Sequence, residues 1–121
     1  GVETMVPLMY TEGVVKRGPT VNQLVSLVST NPAKLFGMYP KKGTIAIGSD
    51  AAIVVFDPEK TVTMKAENLQ TNCDWSPFED WKLVGYPAVT ISKGRVVAEE
   101  GKCIGQFGHG ESLKRGPYGK L

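Results

Sequence analysis

The sequence predicts an α/β chain in two parts, helices over residues 1–40 and strands over residues 41–104, with an extended tail over 105–121. Three observations lead there. Apolar residues recur at helical spacing ahead of Pro40. Short runs rich in β-branched residues, separated by Gly-containing turns, follow it. The apolar helical stripes precede every strand candidate, so no earlier strand is present for them to cover. Helices first and strands afterwards fit an α+β unit or pieces of two different domains, and the uncovered stripes favour the second.

The first helix is expected over residues 4–17. Met5, Val6, Met9 and Tyr10 share one face, Leu8 widens it, and Thr4 is placed to cap the start. Pro7 fits if it falls in the first turn, where its missing N–H has no helical partner to lose. Gly13 or Gly18 ends the helix. Thr20 with Gln23 reads as a capping box for a second helix, whose Val21, Leu24, Val25 and Val28 form an i, i+3, i+4, i+7 stripe. A third, short helix starts with Asn31 as cap and Pro32 at the first helical position, and stops at Gly37, the residue best suited to a left-handed conformation.

Strands are expected at Thr44–Ile47, Ala52–Phe56 and Thr61–Met64, the first two joined by a Gly48-Ser49-Asp50 turn. Residues 65–87 read as irregular, with Trp75, Phe78, Trp81 and Tyr86 between Pro77 and Pro87. Ala88–Ser92 and Arg95–Glu99 form the clearest hairpin, turning at Lys93-Gly94. Glu100-Gly101 turns into a last strand at Lys102–Ile104.

At 121 residues, 41% apolar and 21% charged, the chain has the length and composition of a soluble globular domain. A formal charge of +2 is too small to imply nucleic acid, and the basic pairs Lys16-Arg17, Lys41-Lys42 and Lys114-Arg115 read as solvated surface. No run approaches the roughly 18 apolar residues of a membrane span, and residues 1–15 lack the pattern of a signal peptide. Cys73 and Cys103 are expected to be free thiols in a reducing cytoplasm.

Candidate chemistry is sparse. Metal sites gather several His, Cys or carboxylate ligands at one point. His109 is the only histidine and lies in Gly108-His109-Gly110, a surface-tail setting. Two cysteines without nearby histidines are a weak zinc signal. Gly105–Gly110 is glycine-rich but opens no helix, so it lacks the geometry of a phosphate loop. Asp74, Glu79 and Asp80 read as a surface loop anchored by Trp75, Phe78 and Trp81, rather than as acid–base carboxylates. Asp50 and Asp57 at strand ends are explained by Asx-type turns. The expected sets of catalytic, cofactor-binding and metal-binding residues within 1–121 are all empty.

Four stretches resemble the C-terminal portion of the cyclic amidohydrolases, the dihydropyrimidinase and hydantoinase group. They are Gly1–Val15, Ser29–Pro58, Ser76–Glu79 with Gly85–Val97, and Leu113–Tyr118. The Gly48-Ser49-Asp50-Ala51 turn is common across the superfamily, whereas Leu35-Phe36-Gly37-Met38-Tyr39-Pro40 and the tail point more narrowly. Ala52 and Asp80 depart from the group's pattern at positions remote from chemistry.

The resemblance implies that residues 1–40 are the last helices of a (β/α)8 metal-dependent hydrolase barrel, 41–104 the C-terminal part of a small β-sandwich, and 105–121 a tail that reaches a neighbouring subunit. It implies a binuclear zinc site that activates hydroxide against a small cyclic amide substrate, in a homo-oligomer that is commonly a tetramer. The group's His-x-His, carboxylated lysine, two further histidines, aspartate and substrate-contacting Asn-Gly all belong upstream of Gly1. With this resemblance, the start at Gly1 suggests a piece of a longer protein, although a removed initiator would leave the same start. Three alternatives remain: a dihydroorotase or allantoinase relative, a non-enzymatic dihydropyrimidinase-related scaffold protein, and a separate small module. The last would leave strand edges and helical stripes uncovered.

Overall fold

The computed structural model describes residues 2–120. Helix α1 runs over Val2–Met9 and continues as π-helix over Tyr10–Val15. Thr4 lies inside this helix and is buried, so it is not the expected cap, and Pro7 falls within the helix, beyond the first turn. Thr11 bridges the change of winding: its hydroxyl lies 2.9 Å from the Pro7 carbonyl oxygen. Gly18, at φ +92°, ends the segment.

The Thr20–Gln23 capping box forms as the sequence predicts. The Gln23 N–H donates to the Thr20 hydroxyl at 3.2 Å, and the Thr20 N–H donates to the Gln23 side chain at 2.7 Å. Helix α2 covers Val21–Val25, but it does not stop before Asn31. A π-helical turn over Ser26–Thr30 carries it into α3, Asn31–Leu35. Asn31 has helical backbone angles and caps nothing. The exit is a Schellman arrangement, with Met38 N–H on Ala33 O and Gly37 N–H on Lys34 O while Gly37 takes φ +65°.

Four antiparallel strands follow in the order β1-β2-β3-β4. They are β1 Ile53–Thr63, β2 Lys82–Ser92, β3 Arg95–Glu99 and β4 Lys102–Cys103. Two expected strands, Ala52–Phe56 and Thr61–Met64, are thus one strand carrying a bulge. Asp57 Oδ1 accepts from the N–H groups of Glu59 and Lys60 and folds the extra residues out of the ladder. The expectation of irregular chain up to Pro87 fails at residues 82–87. Leu83 pairs with Val62 and Pro87 with Phe56, the latter at a register shift that tolerates a residue without an N–H. Thr44–Ile47 is not a strand, because within the described residues no neighbouring strand accepts or donates along it. Lys93 and Glu100 both join their following glycines at positive φ, the geometry of two-residue hairpin turns.

The helices meet the sheet at one place. Thr11 Oγ1 accepts from the Val84 N–H at 3.0 Å, and the rings of Tyr10 and Phe56 stand edge to face 4.9 Å apart over Gly85. Leu83 and Met64 are almost wholly buried, each worth roughly 1.5–3 kcal/mol of apolar transfer. Among the described residues the buried apolar set is short: Leu24, Ala33, Met64, Ala66 and Leu83. Val21 and Val25 of the predicted stripe are half exposed, as are Leu27 and Val15.

Candidate functional site

Each residue weighed for chemistry has an identifiable place. His109 is not loose. Its Nε2 lies 2.8 Å from the Ser92 carbonyl oxygen, which pins the tail to the β2–β3 turn. Lys93 and Glu111 form an ion pair at 2.5 Å beside it, and that lysine holds the Glu111 carboxyl below its ordinary value. Further along, Gly116 N–H donates to Gly37 O and Gly119 N–H to Lys34 O, so the tail closes the helix exit of its own chain. Cys73 and Cys103 are free, exposed thiols.

The acidic loop is structural. Glu79 accepts from the Ala66 N–H at 2.9 Å, and Asp80, at φ +62°, pairs with Lys65. The carboxylate raises the Lys65 pKa above its ordinary value. Phe78 and Trp81 anchor the loop edge to face at 5.4 Å, whereas Trp75 and Asp74 are exposed. Asp57 makes the expected Asx turn. Asp50 does not. Its carboxylate reaches 2.5 Å from Lys41 Nζ and 3.1 Å from Lys42 Nζ, and these ammonium groups hold its pKa below the ordinary 3.8. The two lysines, expected as plain solvated surface, therefore form a clamp. Lys16 and Arg17 likewise share Glu12.

Thr11 and Gly85 carry no chemical signature and escaped sequence reading, yet they lock the helices to β2. Tyr86 on the same strand is partly buried, which raises its pKa, and the charge of Glu3 adds to that.

Among the described residues no group of three or more His, Cys, Asp or Glu comes together. A binuclear zinc site needs such a group, so these side chains do not fit one. An apolar groove of about 450 Å³ lies between Leu8, Met9, Leu24, Leu27, Phe78 and Trp81. A surface of this kind suits packing against other protein.

The amidohydrolase family profile matches residues 2–97. The chain belongs to the amidohydrolase family. It is 42% identical to the D-hydantoinase of Geobacillus stearothermophilus over 120 residues, 99% of this chain and 26% of that protein. It is also 42% identical to the dihydropyrimidinase of Rattus norvegicus over 121 residues, 100% of this chain and 23% of that protein. Its backbone superposes on the crystal structure of dihydropyrimidinase from Brevibacillus agri NCHU1002 with a TM-score of 0.91 and 40% identity, over 96% of this chain and 25% of that one. This amidohydrolase chain thus spans about a quarter of the length of the relatives it matches.

Proposed function

We propose that residues 1–121 are the C-terminal part of a metal-dependent cyclic amidohydrolase. The whole protein would hydrolyse the ring C–N amide bond of a dihydropyrimidine or a hydantoin. The observation that carries this reading is about 40% identity across nearly the whole chain to proteins named D-hydantoinase and dihydropyrimidinase, joined to a TM-score of 0.91. In this reading residues 1–40 are the last helices of the catalytic barrel, 41–104 belong to a β-sandwich, and 105–121 contribute to subunit contacts in a cytoplasmic homotetramer. The half-exposed Val21, Val25 and Leu27 support the first assignment, because they present an apolar face that asks for cover.

The chain supplies scaffold and no catalytic, cofactor-binding or metal-binding residue. Zinc and its ligands are assigned to residues outside 1–121, and no reaction step runs through the side chains described here. When bound, such metals would supply an activated hydroxide.

The test is the reading frame upstream of Gly1, followed by an assay of the encoded protein on dihydrouracil and hydantoin before and after zinc removal. Several hundred in-frame residues carrying His-x-His and the later His and Asp ligands, with zinc-dependent turnover, are expected. A stop codon directly upstream would withdraw the enzyme reading. A long frame lacking His-x-His would favour the non-enzymatic scaffold relative.

A further inference from the structure

A tail rich in Gly, Lys and polar residues stays loose unless something ties it down. Residues 105–120 are tied at two places, and both anchors lie within the described residues. The first is the β2–β3 turn. His109 Nε2 lies 2.8 Å from the Ser92 carbonyl oxygen, and Glu111 Oε1 lies 2.5 Å from Lys93 Nζ. A carbonyl oxygen only accepts, so Nε2 is the donor. The second anchor is the exit of α3. There Gly116 N–H donates to Gly37 O and Gly119 N–H to Lys34 O, both at 2.8 Å. Among the described residues no hydrogen bond or ion pair engages residues 112–115 between the two.

The anchors differ in kind. The exit anchor runs backbone to backbone and contains no titratable group. It is also tight, since an added Cβ at Gly37 would come within 2.1 Å of Gly116 O. The turn anchor is made by side chains. The Glu111 side chain is 76% exposed, so salt can reach its pair with Lys93. Lys93 holds the Glu111 carboxyl below its ordinary 4.5, Lys41 adds to that, and Asp50 opposes it. The pair's contribution is therefore present above 4.5 and fades as pH falls through the lower folded value. With Glu111 neutral, Lys93, Lys41 and Lys42 outnumber Asp50, the one carboxylate left among these groups, and His109 adds no negative charge.

We infer that residues 109–119 form a strap within one subunit, tying the β2–β3 hairpin to the exit of α3, and that the strap opens from its hairpin end when the Glu111 carboxylate is neutralised or screened. In the reading above the two anchors are sandwich and barrel. The strap then gives these parts a second tie, besides the connection over residues 36–52. It acts whatever ring the whole protein hydrolyses, because both anchors lie within 2–120. The exposed side chains of Lys114 and Arg115 stay available to a neighbouring subunit.

Chymotrypsin acting on the full-length protein tests it. Phe107 is fully exposed and precedes the hairpin anchor, whereas Tyr118 sits at the exit anchor. A protease needs several residues of extended chain drawn clear of the fold, so the cutting rate after each ring reads the opening of its own end. Each rate is divided by that on the matching free peptide of residues 103–121, which removes the effect of salt on the protease. At low salt the Glu111→Gln variant, which mimics the neutral carboxyl, is expected to be cut after Phe107 up to about fivefold faster than wild type, the size set by an exposed pair. Salt at about 0.5 M is expected to bring wild type to the variant's rate and to leave the variant unchanged. Cutting after Tyr118 is expected to be the same in both. Equal cutting after Phe107 at low salt would overturn the inference. So would a variant that responds to salt as wild type does, or equal acceleration at both rings. Cutting that speeds up in both proteins alike on dilution to monomer would also overturn it, because a neighbouring subunit would then be the shield.

Discussion

Gly85 carries the contact between helices and sheet. Its φ is +85°, and a Cβ there would fall 2.5 Å from the Tyr10 ring and 2.8 Å from the Phe56 ring. Both rings are held by their own edge-to-face contact, so neither can move away cheaply. Gly85→Ala is expected to cost about 1–3 kcal/mol from backbone strain, with overpacking added. Urea unfolding of variant against wild type measures it, and an unchanged midpoint would show that the junction does not exist. Asp50 gives the pH-dependent counterpart. Lys41 and Lys42 lower its pKa, so the folded chain binds this proton less readily than the unfolded chain. The clamp's contribution is therefore present above the ordinary 3.8 and fades as pH falls through the lower folded value. A carboxyl NMR titration should show Asp50 inflecting below 3.8 in wild type, and returning towards 3.8 in the Lys41→Ala/Lys42→Ala variant. Sequence reading could identify Asp57, whose partners lie two and three residues on, but not Asp50, whose partners lie eight and nine residues back.

At the scale of elements, legibility follows how local the determining bonds are. The Thr20–Gln23 box, the Gly37 exit and the Lys93-Gly94 turn each close within a few residues, and all three form as read. Boundaries set by distant partners were not legible. Asn31-Pro32 looks like a helix start, yet π-helical winding over Ser26–Thr30 carries α2 through it. Leu83 and Val84 look like part of a Pro-bounded loop, yet pairing with Val62 and Thr61 makes them strand. Thr44–Ile47 errs in the other direction: its propensity is that of a strand, and propensity without a neighbour makes none. The site reading shows the same division. His109 follows the last strand, and its tie to Ser92 spans seventeen residues and leaves no mark in local sequence.

At the scale of the whole molecule, the apolar area left open and the absence of a ligand cluster among the described residues have one explanation. A chain of this length normally buries more than Leu24, Ala33, Met64, Ala66 and Leu83 among its apolar side chains. The groove at Leu8, Leu24, Leu27, Phe78 and Trp81 and the open edge at Ile45 and Ile47 are where that burial is missing. These faces belong to a larger body in the reading proposed above, and the chemistry belongs there too. Zinc affinity tests this directly. Tight binding requires three or four deprotonated ligands brought together, and metal bound by scattered single groups is weak and non-stoichiometric. Here the one histidine is engaged with Ser92, and both thiols lie exposed on separate segments, Cys73 in a loop and Cys103 in β4. A purified preparation of residues 1–121 is therefore expected to retain no stoichiometric zinc after dialysis, by metal analysis, and to hydrolyse no dihydrouracil. Zinc-dependent turnover by such a preparation, verified by intact mass, would place ligands inside these residues and overturn the assignment of this chain as scaffold.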